Sequence, residues 1–214
     1  MARDGTVLAE DAEPASRSHV SSLPALVERV LARAGLAIGD VEGLAISIGP
    51  GSFTGLRIGL GLAKGIAFAG GLPLAAVPTL EALAEVAGAR PGQTVCAALD
   101  ARKQEVYAAL FRAGASGLER MTDDLAVAPR ALAERLLPGT LLVGDAAEAY
   151  PDAFGPGLVR LPFATHHPRG GVVARLGERL LAAGQGSEPG ALEPVYVRPS
   201  EAELARMPAS GRAR

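Results

Sequence analysis

Apolar residues along the chain follow two patterns that alternate from one end to the other. Short apolar runs such as Leu44 to Ile48 are typical of buried strands. Other segments have apolar residues three and four positions apart, as from Val20 to Leu31, and Gly35 is placed to end that helix. Strands are predicted at 6–10, 44–48, 73–77, 95–99, 106–111, 117–121, 140–143 and 158–161, and further helices at 79–86, 129–137 and 171–183.

The pattern pauses at residues 87–92, A-G-A-R-P-G, where small residues and a proline interrupt the apolar periodicity. We therefore predict a boundary there, with one unit at 1–91 and a second at 92–214. Strands and helices recur in a related order on both sides, which favours two related α/β lobes.

A glycine-rich stretch follows the predicted strand at 44–48 directly, and it reads S-I-G-P-G-S-F-T-G-L-R-I-G-L-G-L-A-K-G over residues 47–65. A turn between a strand and a helix offers N–H groups to an anion, so a phosphate site is one interpretation. The glycines at 49, 51 and 55 are spaced one residue too far apart for the dinucleotide fingerprint, and Gly65 stands where a P-loop has Ser or Thr after its lysine. Ser52 is predicted as the N-cap of the helix that follows.

The second interpretation of this stretch is close packing, because the predicted helix has small residues on two faces. Each interior glycine costs about 1 kcal/mol of helix stability relative to alanine, so some contact must offset the cost. One face could pack on the chain's own sheet, and a second face suggests either the preceding helix or another subunit. The first face contains Gly55, Gly59, Ala63 and Ala67, and the second contains Gly61, Gly65 and Ala69.

Composition and charge exclude several classes of protein. The formal net charge is −2 with scattered Lys and Arg, whereas a protein that holds nucleic acid unaided needs a concentrated basic face. Cys96 is the single cysteine, which excludes an internal disulfide and suits a reducing compartment. The sequence has no run of about 18 apolar residues and no apolar leader. We therefore expect a cytoplasmic protein.

Candidate catalytic and metal-binding residues have simpler structural explanations. His166 and His167 are adjacent in a proline-rich stretch, and His19 lies at a predicted helix start. Asp100 and Glu105 flank a turn that contains Arg102 and Lys103, so we expect an ion-paired hairpin there. We therefore predict no catalytic residue, no metal ligand and no cofactor.

The glycine-rich stretch resembles the signature of the bacterial TsaB (YeaZ) family, which acts in tRNA threonylcarbamoyladenosine biosynthesis. A-L-D-A-R-K-Q-E-V-Y-A over residues 98–108 is similar to the family's D-A-R-x-x-E-V-Y hairpin. L-V-G-D-A over 142–146, E-P-V-Y-V-R-P over 193–199, and Ser18-His19 with Leu23-Pro24 resemble further markers of the family. The resemblance covers nearly the whole chain.

The resemblance implies an actin-like, sugar-kinase/Hsp70-type fold of two ribonuclease-H-like lobes. It also implies a non-catalytic subunit that stabilises the catalytic protein TsaD, which transfers threonylcarbamoyl to the adenosine beside the anticodon. A TsaE-like ATPase would join a larger complex, self-association would replace TsaD in its absence, and tRNA would be contacted only indirectly. The first two helices would form the partner interface, with Leu23, Leu26, Val30, Gly55, Leu56, Gly59, Ala63 and Ala67 as its residues.

The sequence departs from the family pattern at its start. Asp4-Gly5 is typical of a hairpin turn, yet only residues 1–3 precede it. Family members open with a strand similar to L-A-L-D-T-S-T and a second strand before that turn. We therefore expect the DNA upstream of Met1 to encode such a strand in frame.

Two other functions remain as alternatives at the level of sequence. An ATP-dependent small-molecule kinase or phosphatase of the same fold would need acidic metal ligands on its first strand. A glycoprotease, an older label for the wider family, would need a zinc site or a nucleophile beside a base. The sequence contains no visible set of residues for either chemistry.

Overall fold

The computed structural model describes residues 1–13 and 19–198, with the side chains of 19–22 excepted. The predicted helix start at Ser18 and the last residues, 199–214, lie outside the described part. The strands are β1 (Ala2–Arg3), β2 (Thr6–Val7), β3 (Leu44–Gly49), β4 (Leu74–Pro78), β5 (Thr94–Arg102), β6 (Glu105–Ala113), β7 (Leu118–Arg120), β8 (Leu125–Val127), β9 (Leu141–Val143) and β10 (Val159–Arg160). The helices are α1 (His19–Ala34), α2 (Phe53–Gly70), α3 (Thr79–Val86), α4 (Pro129–Ala133), α5 (Ala146–Ala149) and α6 (Gly170–Ala182).

The first lobe has a small parallel sheet, in which β3 pairs with β4 in the register Leu44↔Leu74. Helix α2 covers one face of this sheet, where Leu60 and Ala67 pack with Leu74. Helices α3 and α6 cover the opposite face. The result is a helix–sheet–helix arrangement, which parallel strands require because both of their faces are apolar.

The second lobe has a larger mixed sheet of six strands. Its order is β10-β9-β5-β6-β7, and β8 also pairs with β6. β5 and β6 form an antiparallel hairpin, whereas β9 is parallel to both β5 and β10. One face of the sheet packs on α3, and the other packs on α4 and α5. Helices therefore cover both apolar faces of the larger sheet.

The end of the chain returns to the first lobe. Helix α6 lies against β3 and β4, Leu192 packs with the core beside α2, and the Val195 N–H donates to the Ile48 carbonyl oxygen at 2.8 Å. A division at residue 91 separates the two sheets, since β4 precedes it and β5 follows it. It does not separate the two hydrophobic cores, because α6 and the segment after it pack on the sheet of the first lobe.

Most of the predicted elements are present with boundaries close to those expected from the sequence. The hairpin turn at Asp4-Gly5 is confirmed, with φ values of 50° and 72°, and β1 supplies its first strand. Helix α4 ends at Ala133 and strand β2 ends at Val7, both earlier than predicted. The short elements β8 and α5 are not predicted by the sequence pattern. Within the described residues, no helix combines the length and hydropathy needed to span a membrane.

Glycine is required at residue 177, where α6 approaches β3. A Cβ on Gly177 would overlap the Cβ of Ala45 and would lie 3.5 Å from that of Ala75. Gly177→Ala is therefore expected to lower the free energy of unfolding by about 1–3 kcal/mol, although alanine is the better helix former. Chemical denaturation measures the difference.

Gly61→Ala provides the matched control, because a Cβ at Gly61 would meet no other described atom within 4 Å. It should raise the free energy of unfolding by about 1 kcal/mol through helix propensity alone. Equal effects of the two substitutions would contradict the close packing assigned to Gly177.

Candidate partner interface

The glycine-rich stretch forms the turn from β3 into α2, and Ser52 caps the helix. The Ser52 Oγ accepts the Gly55 N–H at 3.3 Å, which confirms the predicted N-cap. At the other end, Gly71 adopts φ 62°, and its N–H bonds to carbonyl oxygens of the last turn. Local sequence signals therefore define both ends of α2.

The chain's own backbone occupies the space at the start of this turn. A Cβ on Gly49 would overlap the carbonyl oxygen of Val195, so residue 49 must be glycine. The Gly49 N–H donates to the Thr79 Oγ1 at 3.1 Å, and the same hydroxyl lies 2.7 Å from the Ser47 Oγ. Close approach of another backbone therefore explains Gly49, and its N–H is already engaged.

The first small face of α2 is directed mainly toward the chain's own interior. Ala67 has no exposed surface, and Ala63 packs on the same core. A Cβ on Gly59 would lie 3.6 Å from the Ile46 Cδ1. A Cβ on Gly49 would lie 3.2 Å from the Leu56 Cδ1, so Leu56 also faces the interior. The predicted partner interface is therefore wrong at Ala67, because a residue without exposed surface cannot contact a second subunit.

Gly55 differs from the rest of the first face. It is exposed, and a Cβ there would meet only the Ser52 side chain among the described atoms, at 3.4 Å. Gly55 therefore belongs to the rim between the interior and the solvent-facing side of α2.

The second small face of α2 is open to solvent. A Cβ on Gly61 or Gly65 would meet no other described atom within 4 Å. Phe68, one turn beyond Gly65, is 85% exposed, and Thr54, two turns before Gly61, is also exposed. We call these four residues, Thr54, Gly61, Gly65 and Phe68, the open α2 face.

The predicted interface residues of α1 face a cavity rather than solvent. Leu23, Leu26 and Val30 are half-buried and line a cavity of about 750 Å³ beside β3. We call it the β3 slot; it lies between α1, α2, α6 and the free edge of β3. None of the α1 side chains that the structure describes is fully buried.

An aromatic cluster at the start of α2 was not predicted from the sequence. The rings of Phe53 and Tyr196 lie 5.0 Å apart, and the Arg57 guanidinium lies 3.7 Å from the Phe53 ring centre. The Arg57 Nε donates to the Tyr196 hydroxyl at 3.0 Å. The residues are far apart in sequence, and the only signal was the motif E-P-V-Y-V-R-P, which contains Tyr196. The cluster holds the C-terminal segment beside α2.

Asp100 and Glu105 do not form an acid pair. Asp100 contacts Arg102 at 3.1 Å, whereas Glu105 contacts Arg198 at 2.8 Å. The predicted ion-paired hairpin is therefore confirmed for Asp100 and Arg102, and Arg198 from the C-terminal segment is an unpredicted partner.

A second carboxylate lies beside this hairpin. The Asp100 N–H donates to the Asp145 Oδ1 at 2.7 Å, and the Tyr150 hydroxyl donates to the Asp100 Oδ1 at 2.8 Å. Burial, with a smaller contribution from the Asp100 charge, raises the pKa of Asp145 above its ordinary value of 3.8. This group is a structural acceptor whose charge is disfavoured.

The remaining candidates do not converge on a site. The His166 Nδ1 lies 2.9 Å from the Thr165 Oγ1 in a loop. Burial raises the pKa of the Cys96 thiol to about 12, so this cysteine is not a nucleophile at neutral pH. Among the residues that the structure describes, no three His, Cys, Asp or Glu side chains are grouped to hold a metal ion.

Asp145→Asn tests the electrostatics of this cluster. Because the folded state raises the pKa of Asp145, it binds more protons than the unfolded state, and stability falls as the pH rises from 3.8 through the raised pKa. Asparagine keeps the acceptor for the Asp100 N–H and removes the charge. We expect a smaller loss of stability over that interval, measured by denaturation at several pH values.

Asp152→Asn, on the surface, controls for the change in net charge. An Asp145→Asn protein with the same pH dependence as the unsubstituted chain would contradict the raised pKa.

Comparison with known proteins identifies the family. The family model of TsaD, tRNA N6-adenosine threonylcarbamoyltransferase, matches residues 11–176. The tRNA threonylcarbamoyladenosine biosynthesis protein TsaB of Escherichia coli (strain K12) is 35% identical, with 91% of this chain and 87% of that protein covered. The TsaB protein of Bacillus subtilis (strain 168) is 32% identical, with 95% and 90% covered.

Solved structures agree with the sequence comparison. YeaZ from Pseudomonas aeruginosa has a TM-score of 0.74 at 29% identity and 86% coverage of both chains. Another structure, of an uncharacterized protein from P. aeruginosa with similarity to peptidase YEAZ, has a TM-score of 0.76 at 30% identity and 85% coverage of both. The predicted actin-like, ribonuclease-H-like α/β fold is thereby confirmed. On these matches in sequence and fold, the chain belongs to the TsaB (YeaZ) family of tRNA threonylcarbamoyladenosine biosynthesis proteins.

Proposed function

We propose that this chain is a non-catalytic subunit in tRNA threonylcarbamoyladenosine biosynthesis, and that it binds a TsaD-type catalytic subunit through the open α2 face. The observation that carries the proposal is the open space over Gly61 and Gly65, where an added Cβ would meet no described atom within 4 Å outside the local helix backbone, while Phe68 beside them is 85% exposed.

The energetic argument concerns what offsets the glycines of α2. Each interior glycine weakens the helix by about 1 kcal/mol relative to alanine. Gly59 faces Ile46, so its lack of a side chain permits packing within the chain. Gly61 and Gly65 gain nothing comparable in the isolated chain. A second helix laid against this face could approach closely over both glycines and cover Phe68.

The lack of catalysis is supported by the chemistry of the described residues. The described part of the chain groups no three possible metal ligands, burial keeps the Cys96 thiol protonated, and Val195 and Thr79 occupy the start of the glycine-rich turn. A phosphate bound at residue 49 would have to displace these contacts. The kinase or phosphatase and the peptidase therefore have no observation in their favour.

TsaD is proposed as the partner because the TsaD family model and relatives named TsaB match the same chain. The net charge of −2 favours tRNA contact through the complex rather than by this subunit alone. A TsaE-like ATPase in a larger complex, self-association of the lone chain and a cytoplasmic location complete the proposal.

Gly65→Leu is the direct test of the interface. Its side chain would extend into solvent in the isolated chain, so the melting temperature should stay close to that of the unsubstituted protein. Between two closely packed helices it would cost about 1–3 kcal/mol, which weakens binding to the TsaD of the same organism roughly ten- to hundredfold. Isothermal titration calorimetry and thermal melts measure the two effects.

Two controls distinguish the interface from the interior. Ala67→Leu should lower the melting temperature of the chain itself, because Ala67 has no exposed surface and a longer side chain there would overpack the core. Ala149→Leu, exposed on α5 in the second lobe, should change neither binding nor stability. Normal TsaD binding by a folded Gly65→Leu protein would contradict the assignment of the open α2 face.

The proposal that the chain is non-catalytic can be tested by itself. The purified protein alone should show no multiple-turnover hydrolysis of ATP and no cleavage of peptide substrates, as measured by phosphate release and by mass spectrometry. Hydrolysis that a point substitution in this chain abolishes would refute the proposal.

A further inference from the structure

Two aromatic rings hold the Arg57 side chain in place on the surface of α2. Its guanidinium carbon lies 3.7 Å from the centre of the Phe53 ring and 5.8 Å from that of the Tyr196 ring. Its Nε donates to the Tyr196 hydroxyl at 3.0 Å. An exposed arginine normally samples many rotamers and loses that freedom when it binds a ligand. Because contacts within the chain already restrict Arg57, a ligand of its guanidinium would lose little affinity to further ordering.

The charge of Arg57 has no partner in the part of the chain that the structure describes. Arg57 is exposed, no described carboxylate forms an ion pair with it, and its Nη1 and Nη2 atoms donate no hydrogen bond there. By contrast, Arg29 and Arg169 each have a carboxylate partner. A guanidinium with two unused donor nitrogens matches a carboxylate, which accepts two parallel N–H bonds.

The two flanks of the open α2 face differ in charge. Lys64 lies two turns beyond Arg57 on the same flank, and its Nζ donates to the Gly190 carbonyl oxygen at 3.5 Å. No carboxylate among the described residues pairs with Lys64 either. The opposite flank has the half-buried apolar residues Ile58 and Leu62. One flank is therefore cationic and the other apolar.

Arg57 belongs to the same stripe of α2 as the open face. Four residues follow the spacing i, i+4, i+7 and i+11 of a seam between packed helices, namely Arg57, Gly61, Lys64 and Phe68. A partner helix that covers Gly61 and Phe68 therefore also passes over Arg57. A charge that a partner removes from water must be paired, because an unpaired buried charge is costly.

The surroundings of Arg57 favour a protein carboxylate over a nucleic-acid phosphate. Binding to a phosphate backbone needs a concentrated basic face, whereas Arg57 and Lys64 are the only cationic residues of α2. Phe53 and Tyr196 beside them are 38% and 37% exposed. Arginine with exposed aromatic residues is typical of the residues that dominate binding between proteins.

We infer that the partner subunit places an aspartate or glutamate carboxylate on the Arg57 guanidinium, and that this ion pair fixes the direction in which the partner helix crosses α2. A reversed helix would bring its carboxylate to the Phe68 end and leave Arg57 unpaired. The inference rests on the proposed function, because it specifies the chemistry of the partner at the open α2 face.

Arg57→Met is the direct test. Methionine removes the charge and keeps an unbranched side chain beside the two rings, so the melting temperature should stay close to that of the unsubstituted chain. At about 0.05 M NaCl, binding to the TsaD of the same organism should weaken at least about tenfold in isothermal titration calorimetry. Raising the salt to about 0.5 M should weaken the unsubstituted complex more than the Arg57→Met complex. Arg112→Met, exposed on β6 of the second lobe, is the matched control and should change neither affinity nor salt dependence.

Tyr196→Phe separates ion pairing from support of the C-terminal segment. It removes the hydroxyl that accepts the Arg57 Nε bond but keeps the charge and both rings. Affinity for TsaD should therefore fall by no more than about threefold. Equal losses of affinity in Tyr196→Phe and Arg57→Met would overturn the inference, since they would assign the effect of Arg57 to the C-terminal segment.

Charge reversal on both proteins provides a second measurement. Arg57→Glu should abolish most of the binding, and lysine in place of one aspartate or glutamate of TsaD should restore it at least about tenfold. Failure of every such TsaD substitution to restore binding would overturn the inference.

The outcomes distinguish the inference from the proposed function. Normal binding of TsaD by Arg57→Met, together with weak binding by Gly65→Leu, would overturn the ion pair and leave the open α2 face as the interface. Normal binding of TsaD with weaker tRNA binding by the complex would overturn the ion pair in favour of a phosphate contact. No binding of TsaD by the unsubstituted chain would contradict the proposed function itself, and the ion pair with it.

Discussion

The buried helix α3 is the contact on which both lobes depend. Leu80 and Leu83 have no exposed surface and pack on the large sheet, whereas Ala82, on another side of the helix, packs with α6 and β4. A helix of eight residues cannot be stable alone, so its apolar surface must be covered on several sides at once. The first residue of α3 also fixes the turn into α2, because the Thr79 hydroxyl bonds to Ser47 and Gly49. Packing between the lobes and the geometry of α2 therefore have a common origin.

Local signals explain what could be predicted from the sequence. The bounds of α3 follow from Pro78 before it and the acidic Glu81 in its first turn, and the structure has the predicted range. Ser52 and the strand β3 were likewise predictable, because cap chemistry and apolar runs act over a few residues. These local signals define a helix and its faces, but they do not indicate which element packs on each face.

The orientation of α2 illustrates that limit. Small residues at 55, 59, 63 and 67 and at 61, 65 and 69 both satisfy the spacing of a helix face. The number of large apolar side chains distinguishes the two faces. Leu56 and Leu60 lie on the side of Ala63 and Ala67, which is buried, whereas Phe68 alone lies beside Gly61 and Gly65, on the exposed side. The return of α6 and Val195 to the first lobe had no comparable signal, because periodicity does not indicate which of two sheets a helix covers.

Helix α2 connects the interior with the proposed interface. Its inner side packs on β3, its flank borders the β3 slot, and its outer side is the open α2 face. Because a single helix carries all three sides, the packing of Leu60 and Ala67 on the sheet fixes the direction in which Gly61, Gly65 and Phe68 face.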